Sequence, residues 1–282
     1  MDIPFKFVRV VLSVLQKGVR FSKHAIIANM NEEWHSDESL DQYFPEDHVS
    51  ADEKAIQRFL ISFLRKQTPQ LDRMLDFGAG PTIHRIVPFA PHANHIEIAE
   101  FLPESRQAIR RWIRGEKGSR NWDTYVRTTL KLEGVASDTR AVAKRRALLK
   151  SKIGRIVPGD IRKPHPLGKA IHYPLVTSFY CADAVTTSKK LWQTYMRNLS
   201  NLVAPQGWLI ITVSADTNYS LLDGEKMPNV KLHEDDIRRI YAVLGYDMRT
   251  FRIKRISAKM WTHVGIANVL VASAQKNVQW LS

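Results

Sequence analysis

The sequence predicts an α/β fold, a doubly wound Rossmann-like sheet with an N-terminal helical extension and an antiparallel C-terminal hairpin. A glycine-rich turn follows a strand-like run at 73–77, and an acidic residue ends a second such run, 96–100. Helix-like and strand-like patterns then alternate along most of the 282 residues. Such alternation indicates parallel βαβ units, because parallel neighbours need a long crossover between them.

The elements follow in order from a polar, acidic stretch at 36–51, which we interpret as a linker or lid hinge. A helix over 55–65 then shows apolar residues at helical spacing. The remaining predicted elements are strands at 73–77, 96–100, 153–157, 175–180 and 208–213, helices at 103–114, 188–202 and 232–244, a basic helix after Asp138, and a hairpin of 249–256 and 265–274. We expect residues 1–51 to form a helical extension or lid and residues 52–282 to form the cofactor-binding domain.

The glycine turn reads D-F-G-A-G-P-T over residues 76–82. Gly78 and Gly80 allow a tight turn and a close approach to a ligand, since neither carries a Cβ atom. Glu100 can accept two hydrogen bonds from a ribose diol. The third glycine of a dinucleotide fingerprint is missing, and the chain has no phosphate loop. The pattern therefore favours S-adenosylmethionine (SAM), which has no phosphate, over an ordinary glycine loop in another α/β domain.

Composition limits the partners. The formal net charge is +14, which suits either an anionic ligand or a basic, soluble surface. The single cysteine, Cys181, excludes an intrachain disulfide and suggests the reducing cytoplasm. No His/Cys spacing suggests a metal site, and no apolar run is long enough to span a membrane. The apolar, basic stretch at 5–28 is expected to pack on the domain, with a membrane-surface helix as the alternative.

These motifs, in this order, resemble the class I SAM-dependent methyltransferases, and more narrowly the nicotinamide, phenylethanolamine and indolethylamine N-methyltransferases. The likeness spans roughly residues 43–274. It is most specific at 76–83, 122–123, 132–134, 159–161, 166–168, 181–184 and 219–227. Two departures stand out. Glu100 lies where the family usually has Asp, and Val213 lies where many relatives carry an acid that faces the acceptor.

The resemblance implies a SAM site along the strand ends. Glu100 would hold the ribose, Phe101 would pack on the adenine, and Asp160 with Ile161 would contact the adenine edge. Asp76 would either contact the ligand or hold loop amides. The full cofactor-binding set expected is Tyr43, Asp76, Gly78, Ala79, Gly80, Thr82, Glu100, Phe101, Ser105, Asp160, Ile161, Ser178 and Phe179. The resemblance also implies a helix after the loop that contains His84, whereas Asp183 is expected only to cap the next helix.

The reacting end is expected to lack a proton acceptor, so catalysis would rest on positioning. Its expected lining is Tyr43, Ser178, Tyr180, Ser214, Tyr219 and Asn229, of which Tyr43, Tyr180 and Ser214 are the candidate catalytic residues. The favoured function is methylation of a small molecule, most simply an amine nitrogen, by a monomer without a nucleic-acid partner. The first alternative is intramolecular cyclisation of SAM to azetidine-2-carboxylate and methylthioadenosine. The second is a basic RNA-binding protein with a vestigial SAM fold.

Overall fold

The structure, a computed structural model, describes residues 37–67, 70–217, 219–222 and 225–278. The basic stretch predicted as a helix at 5–28 lies outside these residues. The described strands are β1 (Leu71–Phe77), β2 (Ala93–Glu100), β3 (Ile153–Pro158), β4 (Tyr173–Phe179), β5 (Val203–Ala215), β6 (Tyr219–Leu222), β7 (Glu225–Pro228), β8 (Arg252–Ser257) and β9 (Asn268–Gln275). The described α-helices are α1 (Asp37–Tyr43), α2 (Ala51–Gln67), α3 (Pro103–Arg114), α4 (Asp123–Glu133), α5 (Thr139–Lys152), α6 (Lys189–Ser200) and α7 (Glu234–Val243).

Seven strands form one mixed sheet in the order β3-β2-β1-β4-β5-β9-β8, which confirms the predicted fold class. Strands β1 to β5 are parallel, while β9 runs antiparallel to both of its neighbours. The strand order reverses between β1 and β4, and ligands of open α/β sheets bind in the crevice at this point, beyond the carboxyl ends of the strands. The short strands β6 and β7 pair only with each other in a separate hairpin.

The sheet is buried on both faces, as expected of parallel strands flanked by helices. Successive residues of β1 belong to different core clusters, because side chains alternate across a sheet. Met74 packs with α2, α3, α4 and α5 on one face, and Leu75 packs with α6 and α7 on the other. This double packing fixes the strand ends that carry the candidate site.

The structure corrects several local predictions. Residues 37–43 form helix α1 within the stretch expected to be a linker, and α4 was not predicted. The segment after the glycine loop is a 3₁₀-helix, His84–Phe89, with Pro88 inside it. Proline lacks the amide hydrogen that a continuing helix needs, which accounts for the short element. None of the described helices combines the length and apolarity needed to cross a membrane.

Candidate active site

A cavity of about 240 Å³ opens at the carboxyl ends of the parallel strands. Its floor follows β1, β2 and β4, and its far walls come from α1, the start of α2 and the segment between β8 and β9. The expected residues that line it are Tyr43, Gly78, Ala79, Gly80, Thr82, Glu100, Phe101, Asp160, Ile161, Phe179, Tyr180, Ser214 and Asn229. The structure thus brings most of the expected residues to one cavity.

The glycine turn forms one end of this cavity. Gly78 and Gly80 both adopt left-handed backbone conformations, with φ of 72° and 58°. The amide of Gly78 donates to the Ala99 carbonyl at 2.8 Å, which ties the turn to β2. A Cβ atom on Gly78 would lie 2.4 Å from Cys181 Sγ, so only glycine fits there without rearrangement.

Glu100, the last residue of β2, is buried against the same turn. Its Oε2 accepts from the Gly80 amide at 2.9 Å, and its Oε1 accepts from the Leu102 amide at 2.8 Å. Burial raises the pKa of Glu100, whereas these amides oppose the rise. A carboxylate has about four acceptor sites, so both oxygens can still accept from a ligand diol.

Asp160 and Phe101 lie on the adjoining wall. Arg162 donates to both Asp160 oxygens, from Nε at 2.7 Å and from Nη2 at 2.9 Å. The Arg162 guanidinium also lies 4.7 Å from the centre of the Phe101 ring. Burial alone would raise the pKa of Asp160. The hydrogen bonds from Arg162 outweigh this effect, so the pKa lies below its ordinary value. Asp160 is therefore an ionised acceptor at neutral pH.

Helix α1 closes the cavity with Tyr43 and Phe44. Arg120 holds this segment in place, because it pairs with Asp41 at 2.9 Å and donates to the Phe44 carbonyl. The Tyr43 ring lies 5.4 Å from the Trp261 ring, centre to centre, so two distant parts of the chain meet here.

Two neighbouring acids, Asp52 and Glu53, begin helix α2 and face the cavity. Glu53 is fully engaged: Arg85 Nε donates to its Oε2 at 3.2 Å, Arg85 Nη2 donates to its Oε1, and His84 Nε2 lies 3.3 Å away. Burial alone would raise the pKa of Glu53, but the Arg85 charge and the His84 contact bring it down to about 2. Burial and the same Arg85 lower the pKa of His84 to about 4, so its imidazole is neutral.

A third acid, Asp183, follows β4. Its Oδ2 accepts from the Ser214 amide at 2.8 Å, and its Oδ1 has no hydrogen-bond partner among the described residues. Asp183 therefore braces the end of β5, and its predicted role as a helix cap is wrong. Burial raises the pKa of Asp183 to about 7.

Tyr180 lies between β4 and Asp183 with a backbone φ of 54°. This left-handed conformation is unusual for a bulky residue and is found most often at functional sites. Burial raises the pKa of the Tyr180 hydroxyl, and the charges of Glu53, Asp52 and Asp183 act in the same direction. These acids are thus close enough to influence one hydroxyl group.

Four expected residues do not line the cavity: Asp76, Ser105, Ser178 and Tyr219. Asp76 is buried behind the turn, where its Oδ1 accepts from Thr177 Oγ1 at 2.7 Å and burial raises its pKa to about 6. Ser105 and Ser178 are buried within α3 and β4.

Five residues line the cavity that were not among the residues expected there: Asp52, Glu53, Arg85, Asp183 and Trp261. Acids in the first turn of a helix are common for electrostatic reasons alone, so the Asp52–Glu53 pair carried no distinctive signal. Asp183 lies on the cavity wall with an oxygen that has no hydrogen-bond partner among the described residues, while the absence of a proton acceptor at the reacting end stays a prediction.

The chain is similar to one protein family and to several known N-methyltransferases. The sequence profile of the NNMT/PNMT/TEMT family matches residues 23–277. Phenylethanolamine N-methyltransferase of Macaca mulatta is 26% identical over 208 residues, which is 72% of this chain and 73% of that protein. Indolethylamine N-methyltransferase of Mus musculus is 25% identical over 171 residues, 60% of this chain and 63% of that protein.

The fold is also similar to a solved structure, magnesium protoporphyrin IX methyltransferase from Synechocystis PCC 6803 with bound SAM. The TM-score is 0.57 at 10% identity, and the match covers 89% of this chain and 97% of the other. At this identity the likeness concerns the fold alone.

Proposed function

The chain belongs to the NNMT/PNMT/TEMT family, and from this membership we propose that it transfers the methyl group of SAM to the nitrogen of a small amine. The proposal rests on one observation: the Gly78 turn, Glu100 and several buried carboxylates all line the same cavity. The named relatives act on phenylethanolamine and indolethylamine, which supports an amine acceptor here.

The residues present fit SAM as the cofactor. The turn from Gly78 to Gly80 lines the cavity with open space at the Cβ position of Gly80, and Glu100 retains acceptor sites for a ribose diol. Asp160 can accept from an exocyclic amine, beside the Phe101 ring. When bound, SAM would supply an electrophilic methyl group, whose carbon the acceptor nitrogen attacks in line with the C–S bond, so that S-adenosylhomocysteine leaves.

The chain's own contribution is mainly alignment and exclusion of water. Gly78 and Gly80 bring the backbone close to the cofactor, and Tyr43 and Phe44 cover the cavity from α1. The charges of Glu53 and Arg85 neutralise each other, and the ion pair holds the start of α2 against the 3₁₀-helix. A rigid, dry wall of this kind holds the acceptor nitrogen in line with the methyl group.

Asp183 Oδ1 is the proton acceptor in this proposal. An amine that arrives as an ammonium ion must lose a proton before its nitrogen can attack the methyl group, and Asp183 is a buried base with an oxygen that accepts no hydrogen bond from the described residues. Its pKa of about 7 lets it exchange that proton near neutral pH. The expected catalytic residues Tyr43, Tyr180 and Ser214 then act by position: Tyr43 as cover, Tyr180 as packed wall, and Ser214 through its amide bond to Asp183.

Residues 1–51 serve as the lid and residues 52–282 as the catalytic domain in this account. Leu40, Tyr43 and Phe44 on the cavity wall support the lid role for the described part. The enzyme acts in the cytoplasm as a monomer on a small molecule, without nucleic acid. A single cysteine suits a reducing compartment.

Incubation of the protein with SAM, with and without phenethylamine, tests the function. The proposal predicts S-adenosylhomocysteine and N-methylated amine only when the amine is present. Methylthioadenosine from SAM alone would instead indicate cyclisation, which no contact in the cavity favours. Absence of turnover with amines, thiols and alcohols alike would contradict the proposal.

A further inference from the structure

The cavity is acidic although the chain is strongly basic. Its wall carries five carboxylates, Asp52, Glu53, Glu100, Asp160 and Asp183, and two guanidinium groups, Arg85 and Arg162. The formal net charge of the whole chain is +14. An acidic cavity in a basic protein suits a positively charged ligand, since opposite charge favours binding and like charge opposes it.

The arginines neutralise two of these acids and leave Asp52 without a cation. Arg85 pairs with Glu53, and Arg162 pairs with Asp160. Within the described part of the chain, no Lys, Arg or His side chain lies within 4.0 Å of the Asp52 carboxylate. Asp52 is nevertheless only 4% exposed. A buried carboxylate without a counter-ion is costly, and a cationic ligand would supply the missing charge.

Asp52 is held in a fixed orientation on the wall. Its Oδ2 accepts from the indole Nε1 of Trp261 at 3.0 Å. It lies in the first turn of α2, where the partial positive charge of the helix end favours its ionised form. Burial and the charge of Glu53 raise the pKa of Asp52, while Ser50 and Trp261 oppose the rise. A bound cation would act in the opposite direction and lower this pKa.

Aromatic rings lie next to this carboxylate. Trp261 contacts Asp52 through its nitrogen and lies 5.4 Å from the Tyr43 ring, so the three side chains form one continuous wall. An ammonium group is attracted both to a carboxylate and to the faces of Trp and Tyr rings. At the end of β5, Val213 is buried and apolar, and the acid that follows the strand, Asp216, is paired with Arg255 and His233 away from the cavity lining.

We propose that Asp52 is the specificity-determining residue for the acceptor and binds the ammonium group of a small amine beside Tyr43 and Trp261. The inference rests on the proposed function and deepens it by assigning recognition of the cationic acceptor to the start of α2. Asp183 then receives the proton, so recognition and proton transfer belong to different carboxylates.

The test measures binding to the full chain saturated with S-adenosylhomocysteine, by calorimetry with two probes. Phenethylamine carries the positive charge, and phenethyl alcohol is its neutral analogue. Wild type should bind the amine roughly tenfold or more tightly than the alcohol. Asp52→Asn, whose amide oxygen can still accept from Trp261, should remove most of that preference and leave the affinity for S-adenosylhomocysteine unchanged.

Asp47→Asn is the matched control, because it removes the same charge from an exposed position just before α2. It should leave both affinities unchanged. If folded Asp52→Asn binds the amine as wild type does, and wild type methylates that amine, the inference is overturned while the proposed function stands. If wild type neither binds nor methylates amines, both fail.

A second variant tests the inference if Asp52→Asn does not fold. Asp52→Glu retains the charge on a longer side chain, so it should keep the preference for phenethylamine over phenethyl alcohol. A folded Asp52→Glu protein that binds both probes equally would overturn the inference.

Discussion

The Cβ position of Gly78 lies 2.4 Å from the sulfur of Cys181, so the glycine turn after β1 packs directly against the second residue after β4. This contact joins the two strands between which the sheet order reverses. It explains why the turn needs glycine for space as well as for its backbone conformation.

The two glycines of the turn should therefore respond differently to alanine. Gly80 has open space around its Cβ position, so Gly80→Ala should cost only the left-handed strain, about 1–2 kcal/mol. Gly78→Ala adds overpacking against Cys181 and should cost a further ~1–3 kcal/mol. Urea denaturation of both variants without ligand measures the difference. Equal losses in the two variants would show that Cys181 does not restrict the turn.

Glu100 should be sensitive even to an isosteric change. Glu100→Gln places an amide NH₂ group where an oxygen now accepts from Gly80 or Leu102, and two donors cannot bond. We expect SAM binding to weaken by about 1–3 kcal/mol in calorimetry. Glu104→Gln, nearby in the first turn of α3, is the control and should bind SAM normally. Unchanged affinity in Glu100→Gln would remove Glu100 from the cofactor site.

The Glu53–Arg85 pair should be a stability element. Arg85→Met leaves a buried, unpaired carboxylate and should cost about 3–5 kcal/mol, whereas Glu53→Gln combined with Arg85→Met should recover part of that loss. Chemical denaturation of the single and double variants provides the measurement. If the double variant lost more unfolding free energy than the two single variants together, the two charges would not compensate each other.

The Glu53–Arg85 pair should also make the free energy of unfolding depend on pH. Glu53 has a folded-state pKa of about 2 against an ordinary 4.5, so its contribution to stability is present above about pH 4.5 and is lost as the pH falls towards 2. The gap in unfolding free energy between wild type and Glu53→Gln should narrow over that range. A gap that stays constant down to pH 2 would mean that the Glu53 charge is not stabilised by Arg85.

Asp183 should set the pH profile of catalysis. A base with a pKa of about 7 accepts a proton only when it is ionised, so kcat/KM should rise with pH through about 7. Asp183→Asn can keep the hydrogen bond from the Ser214 amide but cannot take a proton. Its rate should fall on the order of a hundredfold, and only the ionisation of the amine should remain in the profile. An unchanged profile would assign the proton to another group.

The sequence predicted the fold and the glycine turn that lines the cavity because their signals are local. Gly78 and Gly80 mark a turn directly, and the acid at Glu100 follows at the spacing of a βαβ unit. Strand beginnings were less predictable. β5 starts at Val203, which pairs with Tyr173, although 205–207 has the composition of a turn; the register shifts there, Gln206 has a φ of 60°, and pairing with β4 resumes at Trp208.

The wall of the cavity formed by Asp52, Glu53, Arg85 and Trp261 could not be predicted, because the contacting residues are distant in sequence. Glu53 and Arg85 are separated by 32 positions, and Asp52 meets Trp261 across 209. Neither residue of a pair has a distinctive neighbourhood of its own. Only the packing of α2 against the sheet and the C-terminal strands places these charges and rings around one cavity.

The central claim is methyl transfer from SAM to an amine nitrogen, and transfer of a labelled methyl group tests it most directly. The protein is incubated with SAM that carries a deuterated methyl group and with phenethylamine, and the products are analysed by mass spectrometry. The account predicts the intact labelled methyl group on the amine nitrogen, in equal amount to S-adenosylhomocysteine. Label retained in methylthioadenosine, with the amine unmodified, would contradict it.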